Sequence, residues 1–164
     1  MHLNDFNSAS PSAATAALTP CVDVPRWVEE IVAARSFAST ADLVSFAATA
    51  APGWTEAELD RALQHHPRIG ERPAGSSPEA DMSRREQSGV DTSADTAEQL
   101  LAGNREYEDR FGRVFLIRAA GRSAEEILTS LRLRLKNTPD QELHVVAEQL
   151  REIALIRLEG LLRP

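Results

Sequence analysis

The chain has 164 residues, 42% of them hydrophobic, which suits a single domain, residues 1–164, built around one core. Its net charge of −7 argues against nucleic acid as a partner, because phosphate binding needs a basic face, and no apolar run approaches the roughly 20 residues that would span a bilayer. The single cysteine, Cys21, has no mate for an internal disulfide; Met1 to Phe6 lacks the Lys or Arg of a secretory leader and the closing LLRP is no retrieval signal, so the cytoplasm is the expected location.

Apolar residues recur at helical spacing in nearly every segment and none alternates with period two over a strand's length, so the predicted fold is all-α, a compact multi-helix domain. Residues 3–6 (LNDF) read as a lead-in. Ser10 caps a short helix with Pro11 at its first position, which runs to Leu18 and is broken by Thr19-Pro20. Asp23 or Val24 leads into the next, with Pro25 near its start and Trp27, Val28, Ile31 and Val32 on its apolar side. Ser39, with Asp42 three residues later, caps a helix that turns Leu43, Phe46 and Ala47 inward and ends at Ala51-Pro52-Gly53. Thr55 and Glu58 form a T-x-x-E capping box for a helix whose core face is Leu59, Ala62 and Leu63. Pro67 sets its end: the ring crowds an α conformation at His66, so that residue is expected to be extended, with its imidazole off the helix face.

Residues 65–89 (HHPRIGERPAGSSPEADMSRREQSG) hold too few apolar side chains to be core, yet they lie between helices that are. Pro73 to Pro78 is a loop by composition; Ser77 then caps a short helix that opens on Pro78 and closes at Gly89. Within it Ser83, Glu86 and Gln87 share a face through spacings of three and four. The next helix starts near Ser93, and Leu100, Asn104, Tyr107 and Phe111 form one stripe, so Asn104 faces inward and needs a hydrogen-bond partner; Gly112 ends the helix. Val114 to Ala120 (VFLIRAA) reads equally as a helix start or an extended segment. Ser123 and Glu126 make a second capping box, Ile127, Leu128, Leu131 and Leu135 pack, and Asn137 with Pro139 closes that helix. The last helix runs from about Pro139 to Leu162, with Leu143, Ala147, Leu150, Ala154, Arg157 and Leu161 inward. A guanidinium in phase with the core must face an anion, because arginine does not deprotonate; a salt bridge from Arg157 to Glu106 or Glu148 is its plain structural reading.

Singly, these residues are ordinary. A lone histidine at a helix end is more often a cap or a solvated side chain than a catalyst, and a Ser-Arg-Arg-Glu-Gln run is usually a polar face. Asn104 and Tyr107 read as structural polar contacts. A metal site built from His65, His66, Glu71 and Glu86 is disfavoured, because adjacent histidines rarely converge on one ion and no H-x-x-x-H spacing occurs. There is no Gly-rich phosphate loop and no G-x-S-x-G elbow, and Cys21 has no evident base beside it.

Together they carry more. His-Pro at 66–67, S-x-x-E-Q at 83–87, N-x-x-Y-x-x-x-F-G at 104–112, F-L-I-R-A at 115–119, R-L-x-N at 134–137 and I-A-L-I-R-L at 153–158 stand in one order over nearly the whole chain. In this the sequence resembles the 2-oxo-4-hydroxy-4-carboxy-5-ureidoimidazoline (OHCU) decarboxylases of urate breakdown. It departs from their usual pattern at Arg68-Ile69-Gly70-Glu71, where Asp-Leu-Ala-Gly is common, and at Phe111-Gly112-Arg113-Val114-Phe115, where F-G-F-P-F is common. The resemblance implies an all-helical, typically dimeric enzyme that needs no cofactor or metal and converts a small-molecule substrate, OHCU, to (S)-allantoin. It implies that His66 and Glu86 are the catalytic pair. Substrate binding would fall to Pro67, Ser83, Gln87, Arg157 and the backbone of Phe115, Leu116, Ile117, Arg118 and Ala119. Two other readings stay open at this point: an enzyme of the same fold acting on a related ureido acid, with Arg68 and Arg113 as the changed residues, and a non-catalytic helical protein whose polar cluster binds a ureide or a partner surface.

Overall fold

A computed structural model describes residues 1–71, 75–90 and 93–162, so residues 73 and 74 of the predicted Pro73–Pro78 loop lie outside the described residues. The regular elements are helices: α1 (Leu3–Ser8), α2 (Pro11–Leu18), α3 (Pro25–Ala33), α4 (Thr40–Ala50), α5 (Glu56–Leu63), α6 (Pro78–Gln87), α7 (Ala94–Phe111), α8 (Ala124–Arg134) and α9 (Pro139–Leu161). No strand occurs among the described residues, so the all-α expectation holds.

The starts follow from capping chemistry. Ser10, Ser39, Ser77, Ser93 and Ser123 each accept, at 3.1–3.3 Å, the N–H three residues on, which satisfies one donor that the first turn leaves without an intrahelical partner. Glu58 and Glu126 return the bond to the N–H of Thr55 and Ser123, both at 2.7 Å, and so complete the two capping boxes. Gly112 closes α7 in the left-handed conformation (φ 70°), its N–H on the Glu108 carbonyl at 2.8 Å.

Three expectations need correction, and one choice left open is narrowed. Residues 3–8 are a helix rather than a lead-in: the His2 N–H donates to the Asp5 carboxylate at 3.3 Å, and Phe6 is fully buried beneath the Arg35 guanidinium. Six residues are too few to display a period. Gly89 does not cap α6; Ser88 does so in the right-handed conformation, its N–H on the Arg85 carbonyl at 3.3 Å. The choice left open at Val114 to Ala120 falls against a helix start: residues 114–119 form no helix and pair in no ladder, although Phe115, Leu116, Ile117 and Ala119 are buried. Finally, the inward stripe of α9 is offset by one residue at its start. Glu142, Val146 and Leu150 are buried, whereas Leu143 and Ala147 are half-buried, because Glu142 is drawn inward by Arg134.

By its contacts the chain divides into two units, Met1–Ala62 with Arg151–Pro164, and Leu63–Leu150. In the first, α2 packs on α3 and α3 on α4. Trp27 is fully buried there, with its indole N–H on the Ala47 carbonyl at 2.9 Å and its ring edge-on to Trp54 at 6.3 Å. Arg26 grips Glu58 at 3.1 and 3.2 Å, and Arg61 grips Asp23 at 2.9 and 3.1 Å, so two forked ion pairs tie α5 to the α3 region. In the second unit α7 packs on α8. The two helices approach closely at Gly103, where an added Cβ would run into the Leu131 side chain. Around that contact Ile69, Leu100, Tyr107, Phe115, Ile117, Ala119, Ile127, Leu128 and Leu131 form one apolar cluster.

Candidate active site

Helix α5 ends at Leu63, and the His66 N–H closes the turn on the Leu63 carbonyl at 3.0 Å, one residue before Pro67. His66 and Pro67 are half-buried, whereas His65 is exposed. The segment that follows is pinned three times. The Arg68 fork holds Glu108 of α7 at 2.5 and 2.8 Å. The Ile69 carbonyl accepts from the Asn104 amide at 3.1 Å, the partner that this buried side chain was expected to need. The Gly70 N–H, in a turn with φ 88°, donates to Gln87 Oε1 at 3.1 Å. Gln87 is the last residue of α6, and Glu86 precedes it. The stretch that carries the imidazole is therefore tied to the helix that carries the carboxylate.

Ser83 is buried on α6 and Glu86 and Gln87 are half-buried, in keeping with the shared face that their spacing predicts. Because a backbone N–H can only donate, Gly70 fixes the Gln87 amide with its oxygen toward Gly70 and its N–H groups turned the other way.

The Phe115–Ala119 segment meets the His66 segment through the core, since Ile69 belongs to the same apolar cluster as Phe115, Ile117 and Ala119. It has no ladder or helix of its own; the Ala119 carbonyl accepts from the Arg122 N–H at 3.0 Å, and side chains bond two further backbone groups. The Leu116 carbonyl accepts from Arg134 Nη1 at 2.7 Å, and the Arg118 N–H donates to Gln149 Oε1 at 3.0 Å. Arg134 is held in turn by Glu142, with Nη2 at 2.6 Å and Nε at 2.7 Å from Oε1. Tyr107 donates to the same oxygen at 2.5 Å, and the Asn137 amide donates to Oε2 at 2.8 Å. Burial, and then the bond to Glu142, push the Tyr107 phenol well above its ordinary range, so it stays a protonated donor.

Sequence reasoning gives Arg134 no place beyond the R-L-x-N motif and does not single out Glu142 or Gln149. A signal for the first two existed. Ile127, Leu131 and Arg134 follow at intervals of four and three, and Glu142, Val146 and Leu150 at intervals of four, so both charged residues were in phase with the core.

Arg157 lies in the first unit on α9 and is 5% exposed, as its phase predicts, with Nη1 donating to the Pro20 carbonyl at 3.3 Å. Glu106 and Glu148 are exposed. Among the described residues no three His, Cys, Asp or Glu side chains are grouped to hold a metal, and no helix is long and apolar enough to cross a membrane.

The Arg68 pin has a measurable pH signature. Its hydrogen bonds hold the Glu108 carboxyl below the ordinary carboxylate range, against the opposing effect of partial burial. A carboxyl whose folded pKa is depressed adds stability above its unfolded pKa and loses it as pH falls through the folded one. Melting followed from pH 7 down to about pH 3 should therefore put Glu108→Gln furthest below the parent near neutrality, the gap closing below about pH 4. A gap independent of pH would mean that the pair does not titrate with folding.

The comparisons with known proteins agree on one family. The family model described as OHCU decarboxylase matches residues 7–159. The uric acid degradation bifunctional protein TTL of Arabidopsis thaliana is 36% identical over 105 residues, 61% of this chain and 32% of that protein. The uric acid degradation bifunctional protein of Bacillus sp. (strain TB-90) is 25% identical over 167 residues, 99% of this chain and 32% of that one. The chain thus spans about a third of the length of these curated relatives. The crystal structure of an OHCU decarboxylase in the presence of (S)-allantoin superposes with a TM-score of 0.72 at 25% identity, covering 87% of this chain and 94% of that one. With residues 7–159 of its 164 matched by that family model, the chain belongs to the OHCU decarboxylase family.

Proposed function

We propose that this protein decarboxylates OHCU to (S)-allantoin without a cofactor, with His66 and Glu86 as its catalytic residues. The observation that carries the reading is the Gly70–Gln87 hydrogen bond, which fastens the His66 segment to the end of α6 beside Glu86. Family membership supports the substrate, as do the relatives named for uric acid degradation and the structure determined in the presence of (S)-allantoin.

The chemistry asks little of the protein beyond protons and orientation. The ring carbon that loses its carboxylate adjoins a C=N bond. When the C–C bond breaks, its electron pair moves into the ring toward that nitrogen, so the substrate supplies its own electron sink. The ring nitrogen takes up a proton with that pair, the hydroxyl gives up its own proton to become the carbonyl, and the neighbouring carbon takes a proton on one face, which fixes the S configuration. An imidazole titrates near neutral pH and suits that transfer; we assign it to His66. Glu86 takes the hydroxyl proton or orients His66. Ser83 and Gln87 give neutral hydrogen bonds to the polar ring, and Pro67 and the backbone of Phe115 to Ala119 shape the wall. For Arg157 the family resemblance implies substrate binding, and a planar guanidinium is of the kind that suits a carboxylate or carbonyl.

Family membership also supports action as a homodimer, and the lone Cys21 fits a reducing cytoplasm. The family match runs unbroken through both contact units, which supports a single domain over residues 1–164.

The test generates OHCU enzymatically from urate in the cuvette, adds this protein and follows circular dichroism as allantoin appears. Fast, enantioselective formation is expected. A signal no faster than spontaneous decay sinks the reading, and faster turnover of a related ureido acid would reassign the substrate.

A further inference from the structure

We propose that Gln149 and Arg134 are positioning residues that set the Phe115–Ala119 backbone against the substrate, an inference that rests on the decarboxylase reading above. The segment is unusual for a buried stretch. Val114 to Ala119 has no helix or strand to fix its peptide groups, yet four of its side chains are in the core. Packing alone sets its depth; its register along the chain needs directional bonds. Two side chains supply them on backbone groups two residues apart, Arg134 on the Leu116 carbonyl at 2.7 Å and Gln149 on the Arg118 N–H at 3.0 Å.

Neither fastening is loose. The Arg134 guanidinium lies 4.6 Å over the Phe115 ring, and the edge of that ring meets Tyr107 at 5.1 Å. Arg134 cannot swing away without leaving Glu142 buried and unpaired. Glu142 and Gln149 are seven residues apart on α9, two turns, and therefore lie on one face of it. A single helix face thus governs both fastenings, one directly and one through Arg134. A wall that presents backbone dipoles to a small polar ring acts only if held to a fraction of an ångström, since a misplacement of about 1 Å costs on the order of 10²-fold in rate.

The experiment compares Gln149→Met, which keeps the length and removes the acceptor, with Gln149→Glu, which keeps an acceptor for the Arg118 N–H. Each is measured for kcat and KM on OHCU, for melting temperature, and for amide exchange over residues 115–119. Gln149→Met is expected to melt near the parent, to exchange faster in that segment and to lose about tenfold or more in kcat/KM, on the low side of the ~10²-fold scale above because Arg134 still holds Leu116. Gln149→Glu is expected to regain both the protection and most of the rate, which a merely space-filling role would not predict. Should Gln149→Met fail to fold, Arg134→Lys decides: it keeps a positive charge for Glu142 but lacks the fork that reaches Leu116, and the same loss is expected. Parent-like kcat/KM in Gln149→Met, or a Gln149→Glu as slow as Gln149→Met, overturns the proposal. A parent no faster than spontaneous decay overturns the decarboxylase reading and the positioning with it, and is recognised because the parent itself is silent.

Discussion

His66→Asn is expected to lower allantoin formation by about 10²–10⁴-fold, to near the spontaneous rate, while leaving the fold intact. Asparagine keeps a polar side chain of similar reach but has no group that titrates near neutral pH. The backbone at this position is fixed independently of the imidazole. The His66 N–H is on the Leu63 carbonyl at 3.0 Å, and the next residues are held by Glu108, Asn104 and Gln87. Because the side chain is half-buried and outside any helix, the substitution should move the melting temperature by only a few degrees. Any residual product should also be more nearly racemic, since water would then protonate either face. Glu86→Gln is the companion variant: a loss in kcat with KM unchanged fits proton transfer, and a loss shared by both fits substrate binding. If His66→Asn retained a rate within a few-fold of the parent, the imidazole would not be the proton carrier.

Much of this architecture is legible in the residues because the signals that matter for helices are local. Ser10, Ser39, Ser77, Ser93 and Ser123 announce five starts, Thr55–Glu58 and Ser123–Glu126 announce capping boxes, and Gly112 announces a stop. Where the signal was not local, the reading failed or stayed open. Helix α1 is six residues long and depends on Phe6 being buried and on Asn7 bonding the Phe37 backbone in both directions, thirty positions away. Val114 to Ala119 has a composition that fits a helix start or an extended segment, and two of its backbone groups bond Arg134 and Gln149, which lie on other elements. Helical phase carries the α9 stripe through Leu143, whereas the buried residue is Glu142, which has three side-chain partners. The same lesson holds at the site. Spacing puts Ser83, Glu86 and Gln87 on one face, but only tertiary structure gives the Gln87 amide its orientation through Gly70. Arg68, a departure from the family's usual sequence, is the residue that clamps the His66 segment to α7.

Removing one partner of the buried Arg134–Glu142 pair should cost more stability than any other single change considered. Glu142 is 1% exposed and Arg134 is 7% exposed, so neither charge can fall back on solvent. Arg134→Ala would strand a carboxylate whose remaining donors are the Tyr107 hydroxyl and the Asn137 amide, and would also leave the Leu116 carbonyl without its partner. The expected loss is about 3–5 kcal/mol, read as a lowered urea midpoint at unchanged slope. Against a typical total of about 5–15 kcal/mol, that leaves a marginal protein. Glu142→Leu alone should be comparably damaging, because it leaves the guanidinium buried. Joining it to Arg134→Met removes both charges and should recover part of the loss, since apolar replacements of a buried pair avoid the desolvation that the pair itself bears. Recovery would be incomplete, because the methionine cannot bond Leu116. Stability and activity should then separate in the double variant: a fold near that of the parent, with a Phe115–Ala119 segment no longer fastened from α8. Two single variants each costing less than about 1 kcal/mol would instead place the pair in contact with water and remove the basis for that separation.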